Sequence, residues 1–379
     1  MPDLPSQHLV GAPGIATWVL SAPDRLTVSG WNPDGSPSPI GFSTDTLIDP
    51  KPRSGDVTSR EVVVAPDGRR VVVSECCLAP GTDRVRVFSA DGTTLWTDPA
   101  RDRPPHLAWS PNGGTLLLAS QDAWRIVTFA PGGAPEVFDG PATPEMASPI
   151  GFSASGLQVY GWDAVGSADF WRTPWLAARD GSARAPILAF SGQSDPLGVS
   201  NGTTIATSIA TGWATPRIDP GSGRVLDVGF DRGFFWELRD GARPEDARRL
   251  EFGPFRPNLA WSPTGDIVVA DLNEDQWRDE THATPVARVA SIAVVDPESL
   301  GVPIGPVFTL PAGPFGREFY GMRDRFALIG LIADDELHPL DEGPDEYVLL
   351  DIATGDAAVF IPADLGLTGA HFAGWVDVP

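Results

Sequence analysis

One stretch of this chain occurs twice. His106 to Ser120 reads HLAWSPNGGTLLLAS, and Asn258 to Leu272 reads NLAWSPTGDIVVADL. Further copies begin at Glu61, Pro149, Pro196 and Glu318, and a copy of the first half begins at His371. Successive starts are 43 to 62 residues apart. A recurrence at this period indicates that one supersecondary unit is repeated along the chain.

Each copy is expected to form two strands joined by a tight turn. The turns read Ser-Pro-Asn-Gly, Ala-Pro-Asp-Gly and Ser-Pro-Thr-Gly, a composition typical of turns because Pro presets φ and Gly accepts positive φ. A third strand follows, as in RVRVFSADG or YVLLDIATG, and then a fourth short one, as in TTLWTD or AAVFIP. Four short strands per repeat predict the blade of a β-propeller.

The two ends of the chain complete the pattern. The N-terminal segment supplies IATWVLS, RLTVSGWNPDG and PSPIGFS, which match the second to fourth strands of a blade, and HFAGW near the C-terminus supplies its first strand. A ring closed in this way has no open sheet edge at the closure. We therefore predict an all-β, seven-bladed propeller of four-stranded antiparallel blades in a single domain, 1–379. The expected blades are 371–379 with 15–43, then 59–98, 106–139, 149–190, 196–252, 257–310 and 318–361.

The turns resemble those of the TolB-like and WD40-like propeller repeat family, which carry Ser-Pro-Asp-Gly-type sequences after the innermost strand. The resemblance rests on Ser110–Gly113, Ser262–Gly265 and Ala65–Gly68, with weaker matches at Ser153–Gly156 and Ser200–Gly202. It implies the propeller fold and, most often, a rigid platform for protein contacts; some relatives serve as the gating domain of a peptidase. The Trp-Asp and Gly-His signature of eukaryotic WD40 repeats is absent, and propellers host many unrelated functions.

Charge and composition limit the kinds of partner that this chain can bind. The formal net charge is −23, Lys51 is the only lysine, and no basic cluster occurs, so nucleic acid is a poor partner. No apolar run approaches the length of a membrane span. The first 24 residues lack Lys and Arg, which favours the cytoplasm; an extracytoplasmic location stays open if a leader has been removed. Composition suggests a high-GC, bacterial source, and we expect a monomer.

Two acidic segments form the strongest charge signal. They span 271–282 and 333–347, and each follows the second strand of its blade, in neighbouring blades 6 and 7. Loops in these equivalent positions leave from one face, where binding residues concentrate on rigid scaffolds. We interpret these segments, together with a long loop of blade 5 at 210–233, as a docking surface for a protein or peptide. The acidic charge of the surface suits a basic partner. The residues of this surface are Trp213, Asp271, Glu274, Asp275, Trp277, Asp279, Glu280, Asp334, Asp335, Glu336, Asp341, Glu342, Asp345, Glu346 and Tyr347.

Two other interpretations of these segments stay open. The first is a solvated acidic surface without a partner. The second is a calcium loop, since Asp271, Asn273 and Asp275 have the required spacing, although Gln276 and His282 stand where Gly and a bidentate Glu are needed.

A second candidate site lies at the start of the innermost strands. The repeats place His106, His371, Glu61 and Glu318 at one equivalent position near the mouth of the axial channel. Imidazole and carboxylate ligands could hold a divalent metal there and acidify a bound water. The alternative is a polar rim whose side chains do not converge.

The sequence therefore favours a non-catalytic binding platform without catalytic residues or cofactor. The alternative is a metal-dependent enzyme, hydrolase or lactonase-like, at the channel mouth. The match of Gly198 to Gly202 to the G-x-S-x-G elbow lies on a repeat turn followed by a strand, whereas a nucleophile needs a helix there. We expect Trp109 and Trp261 to pack between blades, and the adjacent Cys76 and Cys77 to be core residues rather than ligands.

Overall fold

The protein was analysed as a computed structural model, in which every regular element of three or more residues among the described residues is a β-strand. The described residues are 9, 11–22, 25–32, 37–46, 59–76, 84–98, 106–110, 112–119, 124–139, 148–152, 158–164, 172–178, 184–186, 217–218, 225–230, 234–240, 243–250, 258–261, 267–272, 289–295, 307–309, 316–332, 343–362 and 369–376. In those ranges no helix is long and apolar enough to cross a membrane.

The strands fall into four-stranded sheets, numbered here in chain order. The bounds in the first half are β1 Gly14–Ala22, β2 Arg25–Trp31, β3 Pro37–Asp45, β4 Ser59–Val64, β5 Arg70–Cys76, β6 Arg84–Ser89, β7 Thr94–Asp98, β8 His106–Trp109, β9 Thr115–Ala119, β10 Trp124–Thr128, β11 Glu136–Asp139, β12 Ser148–Phe152, β13 Gln158–Ala164, β14 Arg172–Ala178 and β15 Arg184–Pro186. In the second half they are β16 Arg217–Ile218, β17 Val225–Phe230, β18 Phe234–Asp240, β19 Arg243–Leu250, β20 Asn258–Trp261, β21 Ile267–Leu272, β22 Val289–Val295, β23 Phe308–Thr309, β24 Gly316–Arg323, β25 Phe326–Ile332, β26 Glu346–Asp351, β27 Ala357–Phe360 and β28 His371–Val376.

The strand order is the same simple meander in every sheet except the first. Sheet 1 has the order β28-β1-β2-β3, and sheets 2 to 7 take the remaining strands four at a time, from β4–β7 to β24–β27. The chain divides into two compact units. One unit comprises 11–163, 176–185 and 362–379, and contains sheets 1 to 3; the other comprises 1–10, 164–175 and 186–361, and contains sheets 5 to 7. Sheet 4 has residues in both.

The first sheet is built from both ends of the chain, as the sequence predicts. β28 pairs antiparallel with β1, with Ile15 opposite Trp375 and Trp18 opposite His371. The N-terminal strands would otherwise expose the unpaired backbone groups of β1, so the C-terminal strand completes this sheet. Ala16 and Ala373 then lie in the buried cluster between sheets 1 and 2.

The second strands explain why the sheets stack face to face. Val71, Val72 and Val73 of β5 are consecutive and completely buried, as are Leu116, Leu117 and Leu118 of β9. Since adjacent side chains of a strand point to opposite faces, a run of buried apolar residues requires a neighbour on each side of the sheet. One cluster joins sheets 1 and 2 through Val71 and Val73, and another joins sheets 2 and 3 through Val72.

Trp109 packs between two sheets, as predicted. Its ring belongs to the cluster that joins sheets 2 and 3, and its indole Nε1 donates to the carbonyl oxygen of Val63 in β4 at 3.1 Å. The corresponding side chain of Trp261 is outside the described atoms.

In the other unit, sheets 6 and 7 pack by the same principle. Ile292 of β22 joins Ala327 and Ile329 of β25 and Val348 and Leu350 of β26 in one buried cluster. This contact makes sheets 6 and 7 direct neighbours.

The turn after the innermost strand has the geometry that its sequence predicts. In sheet 2 the amide of Gly68 donates to the carbonyl of Ala65 at 2.8 Å, and in sheet 3 Gly113 donates to Ser110 at 2.8 Å. Both glycines have positive φ, 66° and 68°, where an L side chain is strained. A Cβ on Gly113 would also lie 2.5 Å from Cγ of Asp67 in the neighbouring turn.

Two glycine substitutions separate backbone strain from this contact. Gly132 has φ 69° and open space around its Cβ position. We expect Gly132→Ala to lower the free energy of unfolding by about 1 kcal/mol from strain alone, and Gly113→Ala to lower it by about 1 kcal/mol more because Asp67 must move. Urea unfolding of both variants tests this expectation. Equal losses would show that the turns of sheets 2 and 3 do not touch.

Candidate functional site

Ionic side chains gather at one edge of sheets 1 to 3, called here the upper edge. It is the edge at which β4, β8 and β28 begin and at which β5 and β9 end, since Arg60 pairs with Glu75 and His106 with Ala119. Buried apolar residues occupy the middle of these sheets, and their charged groups meet at the edges; at the opposite edge Arg70 pairs with Asp67.

Glu75 is the centre of the largest ionic group on this edge. Its side chain is almost wholly buried. Oε1 accepts from Nε of Arg60 at 3.1 Å and from Oγ1 of Thr46 at 2.5 Å, and Oε2 accepts from a terminal nitrogen of Arg86 at 2.7 Å. Arg60 also donates to Oγ1 of Thr46 at 2.6 Å. The group therefore ties β4, β5 and β6 of sheet 2 to the residue that follows β3 of sheet 1.

Arg86 has an equivalent in the next sheet. By strand register, Arg125 of β10 occupies in sheet 3 the position of Arg86 in sheet 2. Each reaches back to the fourth strand of the preceding sheet: Arg86 donates to the carbonyl oxygen of Asp45 at 2.8 Å, and Arg125 pairs with the buried carboxylate of Asp98. Arg125 also pairs with Asp139 of its own sheet at 2.5 Å. In sheets 2 and 3, therefore, an arginine at this position joins each sheet to the preceding one.

Removing the charge of Glu75 should be costly, because two arginines would remain at a mostly buried position. We expect Glu75→Gln to lower the free energy of unfolding by about 3 kcal/mol, the usual result of breaking a buried ion pair from one side. Glu136→Gln, at an exposed position of β11, is the matched control and should change it by less than about 0.5 kcal/mol. Chemical denaturation measures both; a small loss in Glu75→Gln would mean that water solvates the arginines.

Glu61, one of the predicted metal ligands, lies in a different row of sheet 2. Across the four strands Glu61 pairs with Ser74, Ser74 with Val85, and Val85 with Asp98. Directly opposed residues share a face, so these four form one row, the Glu61 row. Val85 packs in the cluster between sheets 2 and 3, so the row faces sheet 3.

The facing row of sheet 3 is apolar at its inner end. Leu107 pairs with Leu118, Leu118 with Arg125, and Arg125 with Asp139, and both leucines belong to the same buried cluster. We call these four the Leu107 row. The outer ends of the two rows meet in the ion pair of Arg125 with Asp98. Glu61 is at the inner end of its row, on the side of sheet 2 that faces sheet 3.

This surrounding changes the acidity of Glu61. The residue is only partly exposed, and burial raises the pKa of its carboxyl from 4.5 to about 7. Desolvation penalises the charged form when no cation or hydrogen-bond donor compensates it. A perturbed carboxyl at the mouth of a gap is a candidate functional group, and the position of Glu61 in the repeat is the sequence signal that indicated it.

His371, a second predicted ligand, lies in the gap between sheets 1 and 2. Its ring stacks on Trp18 with centroids 4.5 Å apart, and the guanidinium of Arg60 is 5.8 Å from the centroid of the same indole. Farther along the strands, a Cβ on Gly374 would be 3.3 Å from Val64. β28 and β4 therefore run in the same direction, and His371 begins its strand level with the start of β4.

Of the predicted ligands whose side chains are described, Glu61 and His371 lie at the same height along the first strands, but their side chains do not meet. Arg60 and Glu61 are adjacent in β4 and occupy opposite faces, so the Glu61 carboxyl is on the side of the strand away from the ring of His371. For His106 and Glu318 only the backbone is described, at the first residue of β8 and within β24. Among the described residues no cluster of three potential ligands could hold a metal ion. The metal site stays a prediction.

The acidic segments begin where the sequence predicts. β21 ends at Leu272 and β25 ends at Ile332, so both segments leave from the ends of second strands in the neighbouring sheets 6 and 7. Of the predicted docking residues, Asp271 lies in β21, Asp345 immediately precedes β26, and Glu346 is the first residue of β26; Asp345 and Glu346 are partly exposed. The others except Tyr347 lie outside the described residues: Trp213, Glu274, Asp275, Trp277, Asp279, Glu280, Asp334, Asp335, Glu336, Asp341 and Glu342.

The prediction that Tyr347 belongs to the docking surface is wrong. Its side chain is completely buried, and its ring lies 5.7 Å from that of Tyr320. The reason is that β26 already begins at Glu346, so Tyr347 belongs to a paired strand, opposite Gly330 of β25, and not to the loop.

The raised pKa of Glu61 makes stability depend on pH. The folded carboxyl holds its proton to about pH 7, whereas the unfolded one loses it near pH 4.5, so stability falls as pH rises between these values. We expect Glu61→Gln to be about 1–3 kcal/mol more stable than the parent at pH 8 and similar to it at pH 4. Urea unfolding at both pH values, with Glu136→Gln as control, tests this; a gain that is independent of pH would contradict it.

Comparison with known proteins supports the fold. No family model matches the sequence, and no curated protein matches it. A prolyl endopeptidase structure aligns with 92% of this chain at 12% identity and a TM-score of 0.52, and the aligned part is 50% of that longer chain. A protein of unknown function from Desulfotomaculum acetoxidans aligns over 95% of this chain and 99% of its own at 11% identity, with a TM-score of 0.50. TolB from Acinetobacter baumannii aligns over 96% of this chain and 84% of its own at 12% identity and a TM-score of 0.39.

The fold is a β-propeller. Propeller proteins are among its structural neighbours, and its own four-stranded antiparallel sheets agree with them. This chain spans only half the length of the prolyl endopeptidase. At such low identities the likeness shows the architecture of this propeller and leaves its activity to be argued from its own residues.

Proposed function

We propose that this chain is a single seven-bladed ring, residues 1–379, that binds a basic protein or peptide without catalysing a reaction. The proposal rests on where the acidic segments begin. They follow β21 and β25 directly, in sheets that share one buried cluster. Two loops that start from equivalent points of adjacent sheets add their charges on one side of the unit, on a scaffold that does not deform.

The electrostatics of the chain agree with this role. Twelve carboxylates fall within the two segments, in a protein of net charge −23. Such a surface attracts a cationic partner, accelerates its association and repels acidic competitors. The contribution of aromatic groups would come from Trp213 and Trp277, since Tyr347 is buried.

Neutralising one segment at a time tests the proposal. We expect Glu274→Gln/Asp275→Asn/Asp279→Asn and Asp334→Asn/Asp335→Asn/Glu336→Gln each to weaken binding of a fluorescent peptide of alternating Lys and Gly by about tenfold, measured by anisotropy. The matched control removes three exposed carboxylates elsewhere, Asp91→Asn/Glu136→Gln/Asp324→Asn.

The salt dependence of binding and the control variant distinguish a docking surface from a response to net charge alone. Binding to a charged docking surface should weaken steeply between about 50 and 300 mM salt, because exposed charges are screened. Equal weakening in the control and in the loop variants would mean that the peptide responds only to net charge, and the docking surface would be rejected.

The alternative is a metal-dependent enzyme at the channel mouth. It is favoured by one observation, the shared level of His371 and the start of β4, with His106 at the corresponding start of β8. Metal analysis of the purified protein tests it: a stoichiometric divalent metal that is lost in His106→Ala/His371→Ala would support the enzyme and count against the platform.

A further inference from the structure

The last strand of each sheet in chain order lies at the outer edge, because the strand order places it at the end opposite the first strand. An edge strand carries backbone N–H and C=O groups that its single neighbouring strand does not satisfy. Proteins usually protect such an edge with a bulge, a proline, a very short strand, charged side chains or a covering segment. The outer strands of this chain therefore show where an edge is open to a partner.

Apart from β11, the described outer strands are protected by backbone irregularity, short length or burial. β3 contains Pro37 and Pro39, and neither proline has an N–H group to donate. The registers that pair β7 with β6 and β19 with β18 are interrupted by shifts. β15 and β23 are only three and two residues long, and the residues of β27 are buried or partly buried.

β11, the outer strand of sheet 3, has a regular backbone and is fully exposed. Its four residues, Glu136 to Asp139, pair with β10 without a register shift, and every one of them is exposed. The middle two are apolar, Val137 at 46% exposure and Phe138 at 37%. Because alternate residues of an antiparallel pair direct their backbone groups away from the partner strand, two of these four residues present N–H and C=O groups to the outside. β11 thus offers an open, apolar strand edge.

The carboxylates at the two ends of β11 determine which strand suits this edge. The Asp139 side chain is 67% exposed, and its partner Arg125 is shared with Asp98, so the three groups keep one excess negative charge. A second copy of β11, paired antiparallel about its centre, would place Glu136 opposite Asp139 twice, and like charges in such positions are destabilising. A strand with basic residues at these positions would form two favourable pairs. Charge therefore favours a basic partner strand over a second copy.

We propose that β11 binds an extended segment of a partner protein as a fifth strand of sheet 3, and that this segment carries two consecutive apolar residues between basic ones. Hydrogen bonds to the outward backbone groups of β11 would supply the affinity, whereas the apolar pair and the basic residues would select the sequence. This site is independent of the docking surface proposed above, because it lies on sheet 3 and uses neither acidic segment.

The probe is a fluorescent peptide, Thr-Lys-Val-Val-Lys-Thr, which reads the same from either end and therefore suits β11 in either direction. Its matched control carries N-methyl groups on both valines and both lysines, which remove the amide donors and keep the charges and side chains. We expect the methylated peptide to bind about tenfold more weakly in fluorescence anisotropy with the full chain, because it cannot form the strand ladder. Attraction to the acidic segments depends on charge alone and would be the same for both peptides.

Reversing one charge of β11 tests the selection of the sequence. Glu136→Lys should weaken binding of Thr-Lys-Val-Val-Lys-Thr about fivefold and strengthen binding of Thr-Glu-Val-Val-Glu-Thr by a similar factor, because the charge pair at this position changes sign. Asp45→Lys, at the exposed end of β3, changes the net charge equally and should alter both affinities by less than about twofold. Hydrogen–deuterium exchange locates the peptide, since the amides of residues 136–139 should exchange more slowly when it is bound.

Four results would overturn the proposal. These are equal affinity for the methylated and unmethylated peptides, unchanged exchange of residues 136–139, equal effects of Glu136→Lys and Asp45→Lys, and no binding at about 1 mM peptide. A dimer of the parent that the peptide dissociates would also overturn it, because a second copy would then occupy the edge. The peptide of alternating Lys and Gly tests the docking surface alone, since its glycines disfavour an extended strand. Failure of one peptide therefore leaves the other proposal standing.

Discussion

Burial of each sheet on both faces is the constraint on which the described structure depends. Val71, Val72 and Val73 are buried in succession, so sheet 2 has no face for water and must lie between two others. Polar groups that cannot be placed in the middle of such a sheet are left at its edges, and there they must find partners because they remain mostly buried. The Glu75 group and the ion pair of Asp98 with Arg125 are two solutions to this problem. Both also join one sheet to the next, so the charges that the stacking forces to the edge help to maintain the stacking.

The same constraint separates structural ionic groups from a candidate binding group. A buried carboxylate matched by arginine stabilises the native arrangement, or at least does not oppose it, whereas an unmatched one opposes it. Glu61 lies in the same row as Asp98 and faces the same neighbouring sheet, yet burial without a compensating charge raises its pKa.

The sequence predicted the parts of this fold that depend on local chemistry. The Ala-Pro-Asp-Gly and Ser-Pro-Asn-Gly turns, the consecutive apolar residues of the second strands, the pairing of β28 with β1 and the position of Trp109 all follow from short motifs and their period. The Glu75 group could not be predicted in this way, because Thr46, Arg60 and Arg86 lie on three separate segments and meet only when sheets 1 and 2 pack. The prediction for Tyr347 was wrong for a related reason. The acidic run suggested a loop, whereas the pairing of β26 with β25 begins at Glu346.

Residues at equivalent positions of the repeat lie at the same height along the first strands of their sheets. Their side chains need not contact each other. His371 and Glu61 are equivalent by sequence, and β28 and β4 do run side by side in the same direction. Contact depends on a second variable, the gap into which each side chain points. Where first strands run in parallel, as β28 and β4 do, equivalent residues point to the same side of their sheets, so each enters a different gap. His371 lies with Trp18 between sheets 1 and 2, and Glu61 lies between sheets 2 and 3. Equivalence in the repeat therefore does not by itself bring the side chains of His371 and Glu61 to one point.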